Sequence, residues 1–295
     1  MTILETHIVP ENVSNIRLSD YAIGIFEIIP TRKGMKKAIK KGAVYIDGQL
    51  ATTGRWVNTG QVIQLVELIQ KPSKIYQLDL EVVYEDDEMA LIHKPPGIVV
   101  SGNQFRTIQN ALPANLSISS KVDAFPSPLP VHRLDYGTSG LLLIAKTQSA
   151  RRILGRAFEL QQVQKEYQAV VIGKTPKQGE MNEPIQQKKS QTNFTTIQTV
   201  PSLKNGHLSL VQLFPLTGRM HQLRIHLSDA GFPILGDKLY GTSGMILKGK
   251  GLFLCAVGLQ FTHPKTGEQM KFKIPNPPKF QSFMEREHKR WEKYH

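Results

Sequence analysis

The chain has 295 residues and carries 37 Lys and Arg against 24 Asp and Glu, a net charge of +13 at neutral pH. That length predicts one sizeable domain plus a smaller module, since domains usually run to about 100–200 residues, and the cationic excess predicts a polyanionic partner. Cys255 is the only cysteine, which excludes an intramolecular disulfide framework and any multi-cysteine zinc or iron–sulfur site. No apolar run approaches the roughly 18 residues of a membrane span, and residues 1–20 lack the basic-then-apolar order of a secretory signal, so a soluble cytoplasmic protein is expected.

Residues 17–69 read as a compact module. It has an apolar-periodic opening, a basic helix, the segment Gly42-Ala43-Val44-Tyr45-Ile46-Asp47-Gly48, and a strand from Gln61 to Val66. Between Thr31 and Gly42 lie six basic residues and no acidic one. Met35, Ala38 and Ile39 fall at helical spacing and face a core, which leaves Lys33, Lys37 and Lys41 as a ridge with Lys36 and Lys40 beside it. A lysine run is ordinarily a solvated face; the absence of balancing carboxylates favours contact with RNA. The module resembles the S4 RNA-binding domain in its arginine-containing start, basic helix, Gly-x-Val-x-x-x-Gly turn and closing Gly-x-x-Ile strand. Asp47-Gly48 stands where that family more usually has Asn-Gly, and both suit a tight turn. The resemblance implies that Arg17, Lys33, Lys36 and Lys37 contact phosphates.

Residues 70–79, with Pro72 and Ser73, read as a linker, which divides the chain into domains at 1–75 and 76–295. Leu80 to Tyr84 and Met89 to His93 then form a hairpin around Glu85-Asp86-Asp87-Glu88. Four adjacent acids suggest a metal site, but an exposed turn is expected, because like charges so close need solvent or a bound cation. Residues 113–130 carry four prolines and read as a loop. It leads to Asp135, which precedes the turn Gly137-Thr138-Ser139-Gly140 and the continuously apolar strand Leu141 to Ala145. By itself, an aspartate beside Gly, Thr and Ser is a common turn residue whose carboxylate accepts backbone hydrogen bonds.

Arg151 to Gln164 is helix-like, and Tyr167 to Ile172 reads as a strand. Further strands are expected at residues 195–200, 207–215, 253–259 and 270–274, with a helix at 220–230 and a polar helical tail from Lys279 to His295. This order predicts an α+β fold, a larger domain built on a mixed, largely antiparallel sheet and preceded by a small α/β module. His132, His207, His221 and His226 invite a metal. His221 and His226 are five apart rather than four, however, and no acidic ligand accompanies them, so no metal is expected. Gly241-Thr242-Ser243-Gly244 lacks the Gly-Lys-Ser/Thr ending of a nucleotide-binding loop, and no cofactor is implied.

His132-Arg133-Leu134-Asp135, two further residues, then Thr138-Ser139-Gly140 and an apolar strand resemble the catalytic motif of the RluA-type pseudouridine synthases. Three more stretches match in order: His93-Lys94-Pro95-Pro96-Gly97, Lys165-Glu166-Tyr167, and Gly218-Arg219-Met220-His221-Gln222-Leu223-Arg224-Ile225-His226. The match continues from Gly231 to Gly241, so the resemblance spans roughly residues 80 to 278. One departure is the connection between Met181 and Thr196, where Pro184 to Thr192 is shorter than the family's excursion.

The resemblance implies a pseudouridine synthase-like fold and an isomerase. Such an enzyme cleaves the N1–C1′ bond of uridine, rotates the bound uracil and joins C5 to C1′. Asp135 attacks C1′ or drives an elimination to a glycal. Either route needs an ionised carboxylate in a partly desolvated site, and so a nearby cation. Arg224 is implied as that cation, and Tyr167 as a ring for uracil to stack on and a hydroxyl that relays a proton. Arg133 helps to extrude the target base, and Arg219 and His221 frame the pocket or bind phosphate. The implied partner is structured RNA, ribosomal in preference to transfer RNA, with no membrane and no obligate protein partner. Two rivals stand beside this reading: a non-catalytic RNA-binding or ribosome-assembly factor that keeps the fold, and a glycosylase that releases free uracil.

Overall fold

The lysine-rich segment is helical because Thr31 caps it, its hydroxyl accepting from the Gly34 amide at 3.1 Å, and because Met35, Ala38 and Ile39 give it one buried stripe. This helix belongs to the first of two compact units, Met1–Ser73 and Lys74–His295. A computed structural model describes residues 2–66, 75–247 and 249–294; residues 67–69 of the expected module and 70–74 of the expected linker lie outside the described residues.

In the first unit the elements are β1 (Ile3–Ile8), β2 (Ile16–Arg17), α1 (Leu18–Tyr21), α2 (Arg32–Lys40), β3 (Val44–Ile46), β4 (Gln49–Leu50), β5 (Trp56–Val57) and β6 (Val62–Val66). Strands β1-β6-β3-β4 form one antiparallel sheet, and β2 pairs with β5. Val44, Ile46, Ile63 and Leu65 join Met35 and Ile39 in a single core. Strand β1 does not stand out in the sequence: none of its side chains is fully buried, so its period-two signal is weak.

The second unit continues with β7 (Glu81–Glu85), β8 (Met89–Lys94), α3 (Ile108–Asn115), β9 (Ala124–Pro130), β10 (Ser139–Thr147), α4 (Gln148–Glu159), β11 (Gln164–Ile172) and β12 (Gln178–Met181). It closes with β13 (Thr192–Ser202), β14 (Gly206–Pro215), α5 (Gln222–Asp229), β15 (Leu254–Thr262), β16 (Gln269–Lys273) and α6 (Pro278–Tyr294). Ten strands form one sheet in the order β12-β13-β14-β11-β15-β10-β8-β7, with β16 beside β15 and β9 beside β10. Every pairing is antiparallel except β10 with β15, which makes this an α+β fold on a mixed, largely antiparallel sheet. The parallel contact is short, Ser139 with Cys255 and Gly140 with Ala256. Gly140 has φ +112°, and a Cβ there would stand 2.2 Å from the Ala256 carbonyl oxygen, so only glycine permits this crossing. The crossing anchors the end of the loop that carries Asp135. Among the described residues no helix is long and apolar enough to cross a membrane.

Two expectations need correction. The proline-rich stretch from 113 to 130 is not a simple loop: Pro113 lies inside α3, and Pro126, Pro128 and Pro130 lie in β9. The Val131 amide bonds the Leu143 carbonyl, Pro130 stands opposite Ile144 with no amide to offer, and the register to β10 shifts between Leu129 and Ala124, across Pro126 and Pro128. An edge strand tolerates prolines placed that way. The acidic turn is only partly exposed: the Asp87 side chain is open to solvent, whereas Glu85 and Asp86 are half-buried and Glu88 is buried. Glu85 takes Lys146 Nζ at 2.7 Å, Asp87 takes Ser120 Oγ at 2.8 Å, and Glu88 takes Thr147 Oγ1 at 3.0 Å. Asp86 accepts the Glu88 and Met89 amides and pairs with His263 at 2.9 Å. The four acids are structural fasteners.

Candidate active site

Asp135 is held from several directions by residues whose own positions are fixed. On one side, His132 Nε2 accepts the Leu143 amide at 3.1 Å, and its ring stacks on Phe158 at 4.6 Å. Burial pushes the pKa of His132 down to about 4, so it is a neutral acceptor at ordinary pH. On the other side, the Thr138 amide donates to the Asp135 carbonyl at 3.1 Å and closes the turn. From below, Lys94 is fully buried and donates to the carbonyls of Thr138 at 2.8 Å and Pro95 at 2.9 Å. Burial pulls its pKa down to about 8, against the field of Asp135. A buried lysine is rare unless paired; here its bonds fasten the Asp135 turn to the upstream His93-Lys94-Pro95-Pro96-Gly97 segment. The Gly97 amide adds a bond to the Tyr136 carbonyl at 2.8 Å.

The carboxylate itself is one-fifth exposed and faces two basic side chains. Arg224 Nη1 stands 3.5 Å from Oδ2, and His221 Nε2 stands 3.8 Å from Oδ1. Both come from the start of α5, where His221 adopts φ 57° and so delays the helix to Gln222 instead of Met220. Arg224 is committed elsewhere first: its Nε and Nη2 fork onto Asp237 at 2.7 and 2.8 Å. Asp237 also accepts the amides of Leu239 and Tyr240. Burial opposes ionisation of Asp237, but the Arg224 fork and those amides hold its pKa below the usual carboxylate value. For Arg224, burial is likewise outweighed by the bonds to Asp237 and by the charge of Asp135. Gly236 precedes Asp237 at φ +80°, with the Gly251 carbonyl oxygen 2.0 Å from where a Cβ would be. Tyr240 completes the frame, its ring 5.1 Å from the Arg224 guanidinium and its hydroxyl 3.0 Å from His221 Nδ1. Sequence reading assigned no role to Asp237, Tyr240 or Lys94, although all three lie inside quoted motifs.

Asp135, His132, His221 and Arg224 border a cavity of about 360 Å³ that also meets Tyr167, Lys165, Arg133 and Arg219. Tyr167 leaves β11 between the Ala256 and Leu213 neighbours, and burial, with the field of Asp135, pushes its hydroxyl pKa well up. It is a neutral ring and donor. Arg133 is exposed at the rim, and Arg219 is turned aside to bond the Lys189 carbonyl at 3.0 Å. Lys165 bonds the Thr217 carbonyl at 3.1 Å, and burial lowers its pKa to about 8. Of the sequence-derived residues, Asp135, Tyr167, Arg224, Arg133, Arg219 and His221 therefore share one cavity. Arg17, Lys33, Lys36 and Lys37 belong to the first unit, where all four are exposed. His226 is buried against Ser190, Thr192 and the Glu183 carbonyl. Among the described residues no three His, Cys, Asp or Glu side chains cluster as metal ligands would.

The family model described as RNA pseudouridylate synthase matches residues 88–229. A Vibrio vulnificus protein named ribosomal large subunit pseudouridine synthase D is 31% identical over 84% of this chain and 83% of its own length. An uncharacterized RNA pseudouridine synthase of Aquifex aeolicus is 30% identical over 85% of this chain and 88% of its own. Among solved structures, human RNA pseudouridylate synthase domain containing 1 superposes with a TM-score of 0.56 at 26% identity, covering 68% of this chain and 84% of that one.

Proposed function

The chain belongs to the RNA pseudouridylate synthase family, and we propose that it isomerises a uridine of ribosomal RNA with Asp135 as the catalytic carboxylate. The observation that carries this is the site of Asp135: a one-fifth-exposed carboxylate on the wall of a 360 Å³ cavity, 3.5 Å from a buried arginine that Asp237 aims at it. A base must leave its stack to reach such a cavity, at a cost of a few kcal/mol, and Arg133 at the rim is placed to fill the gap. Asp135 then acts at C1′, Arg224 pairs with the carboxylate at 3.5 Å, and Tyr167 offers its ring to the detached uracil. His221 and Arg219 meet the flanking backbone. The ribosomal choice follows the Vibrio vulnificus relative, which is named for the large ribosomal subunit, and a ribosomal RNA substrate implies a cytoplasmic enzyme. The first unit is an S4-like RNA-binding domain in this reading, with Arg17, Lys33, Lys36 and Lys37 on phosphates.

The reaction replaces a C5–H bond with a C5–C1′ bond and restores hydrogen at N1, so the test follows hydrogen at C5. RNA labelled with tritium at uracil C5, taken from cells lacking the protein, should release tritium without releasing uracil. Free uracil would indicate a glycosylase instead. Retention of all tritium in every RNA pool would favour a silent RNA-binding role.

Lys36→Glu with Lys37→Glu should weaken RNA binding and lower the slope of log affinity against log salt by about 1 to 2, as expected when two phosphate contacts disappear. An unchanged slope would return α2 to a solvated face. Lys165 gives the cavity a pH dependence. Its lowered pKa means that its charge is present below about pH 8 and is lost above it. KM for RNA should accordingly rise above pH 8, and Lys165→Arg, which stays protonated, should shift that rise upward. Coincident profiles for the two enzymes would show that Lys165 does not meet the substrate.

A further inference from the structure

Strand β5 has one residue for each face. Val57 is fully buried, so Trp56 points outward, 51% exposed. Its cross-strand partner is Arg17, whose guanidinium lies 5.6 Å from the indole centroid, a cation–π distance. This is the only ring contact of Trp56 among the described residues. Arg55 adjoins it in sequence and is oriented by Gln49 Oε1 at 3.1 Å. Neither arginine forms an ion pair among the described residues, and the nearby carboxylate of Asp20 is taken by Arg32.

Packing does not account for this arrangement. A single exposed apolar residue is ordinary, but here the largest side chain type stands outside the core with the Arg17 guanidinium against its ring and Arg55 next to it in the chain, neither with a counter-charge among the described residues. An aromatic face interleaved with cations is what proteins present to unpaired nucleic acid. Every base has a π-face to stack, and the phosphates on either side meet the cations. We propose that Trp56, with Arg17 and Arg55, is a stacking platform for an unpaired nucleobase of the RNA substrate. This rests on the reading that the first unit binds RNA, and it narrows that reading. Lysines on α2 engage phosphates whether the RNA is paired or not, whereas bases in a duplex already have both faces covered, so Trp56 selects for an unpaired segment.

The chain has two tryptophans, so Trp291→Phe in the 295-residue chain leaves Trp56 as the only indole emitter. That variant would be titrated with an RNA hairpin carrying an unpaired purine loop and with a blunt RNA duplex of equal length. The loop RNA should quench emission and the duplex should bind with little quench. Trp56→Ala in the unmodified chain should weaken loop binding by about tenfold or more and leave duplex binding and the salt slope unaltered, and Trp56→Phe should retain most of the affinity. Should Trp291→Phe fold poorly, the affinities in the unmodified chain decide alone. Binding of loop RNA without quench, or equal affinity of Trp56→Ala and wild type for both RNAs, overturns the platform and leaves the RNA-binding reading standing. Failure of wild type to bind either RNA overturns both.

Discussion

Asp135→Asn should bind RNA as tightly as the wild type and lose turnover by at least about a thousandfold, the scale of removing a nucleophile in other enzymes. The amide has the shape of the carboxylate and can still accept from Arg224 Nη1, but it offers no negative charge to C1′ and does not add to it. The structural cost is small for a specific reason. Arg224 remains forked on Asp237 when Asp135 loses its charge, so no buried cation is orphaned, and the turn is held by backbone groups and by Lys94. Tritium release in single turnover, with RNA affinity measured in parallel, checks this. Turnover within tenfold of wild type would give the reaction to another group. A loss of affinity matching the loss of rate would make Asp135 a binding residue.

What could be read in advance follows from where each interaction sits along the chain. The Asp135 motif is contiguous, and the apolar run behind it is a fully buried strand, so a window of sixteen residues contains both the candidate and its support. Arg224 could be placed by motif, yet its principal partner could not, because Asp237 lies 13 positions on in a glycine-rich segment and meets it only through the fold. Lys94 was hidden for a different reason: lysine is normally a surface residue, and nothing local announces that this one is buried beneath a turn. Strand β9 was masked by its prolines, which read as a loop until the edge position and the register shift are known. The acidic turn is opaque in the same way, since its partners Lys146 and His263 lie 61 and 177 residues away along the chain. Local periodicity carries the helices and central strands; pairings between distant segments carry the geometry of the site.

The Arg224–Asp237 fork gives the second large effect, because it couples stability to catalysis. Asp237→Asn removes one partner of a buried ion pair and leaves a desolvated guanidinium, a change that typically costs about 3–5 kcal/mol. It should also cost rate. Nη1 is aimed at Asp135 only because Nε and Nη2 are fixed, and a misplacement of an ångström at a reacting centre is worth about a hundredfold. Arg224→Lys should fail too: it keeps a positive charge near Asp135 but satisfies Asp237 through one point instead of a fork. Both variants keep a positive charge near Asp135 and disturb its aim, so a loss of rate in both would assign the effect to orientation and not to charge alone. The linkage has a definite sign. The folded-state pKa of Asp237 lies below its unfolded value, so its stabilisation is complete above the unfolded pKa of about 4 and is lost as pH falls through the lower folded value. Wild type should therefore lose stability on acidification across that window more steeply than Asp237→Asn. Denaturant midpoints from neutral to acid pH, with tritium release at neutral pH, measure both consequences. Wild-type stability together with wild-type rate in Asp237→Asn would mean that Arg224 is positioned by something other than this carboxylate.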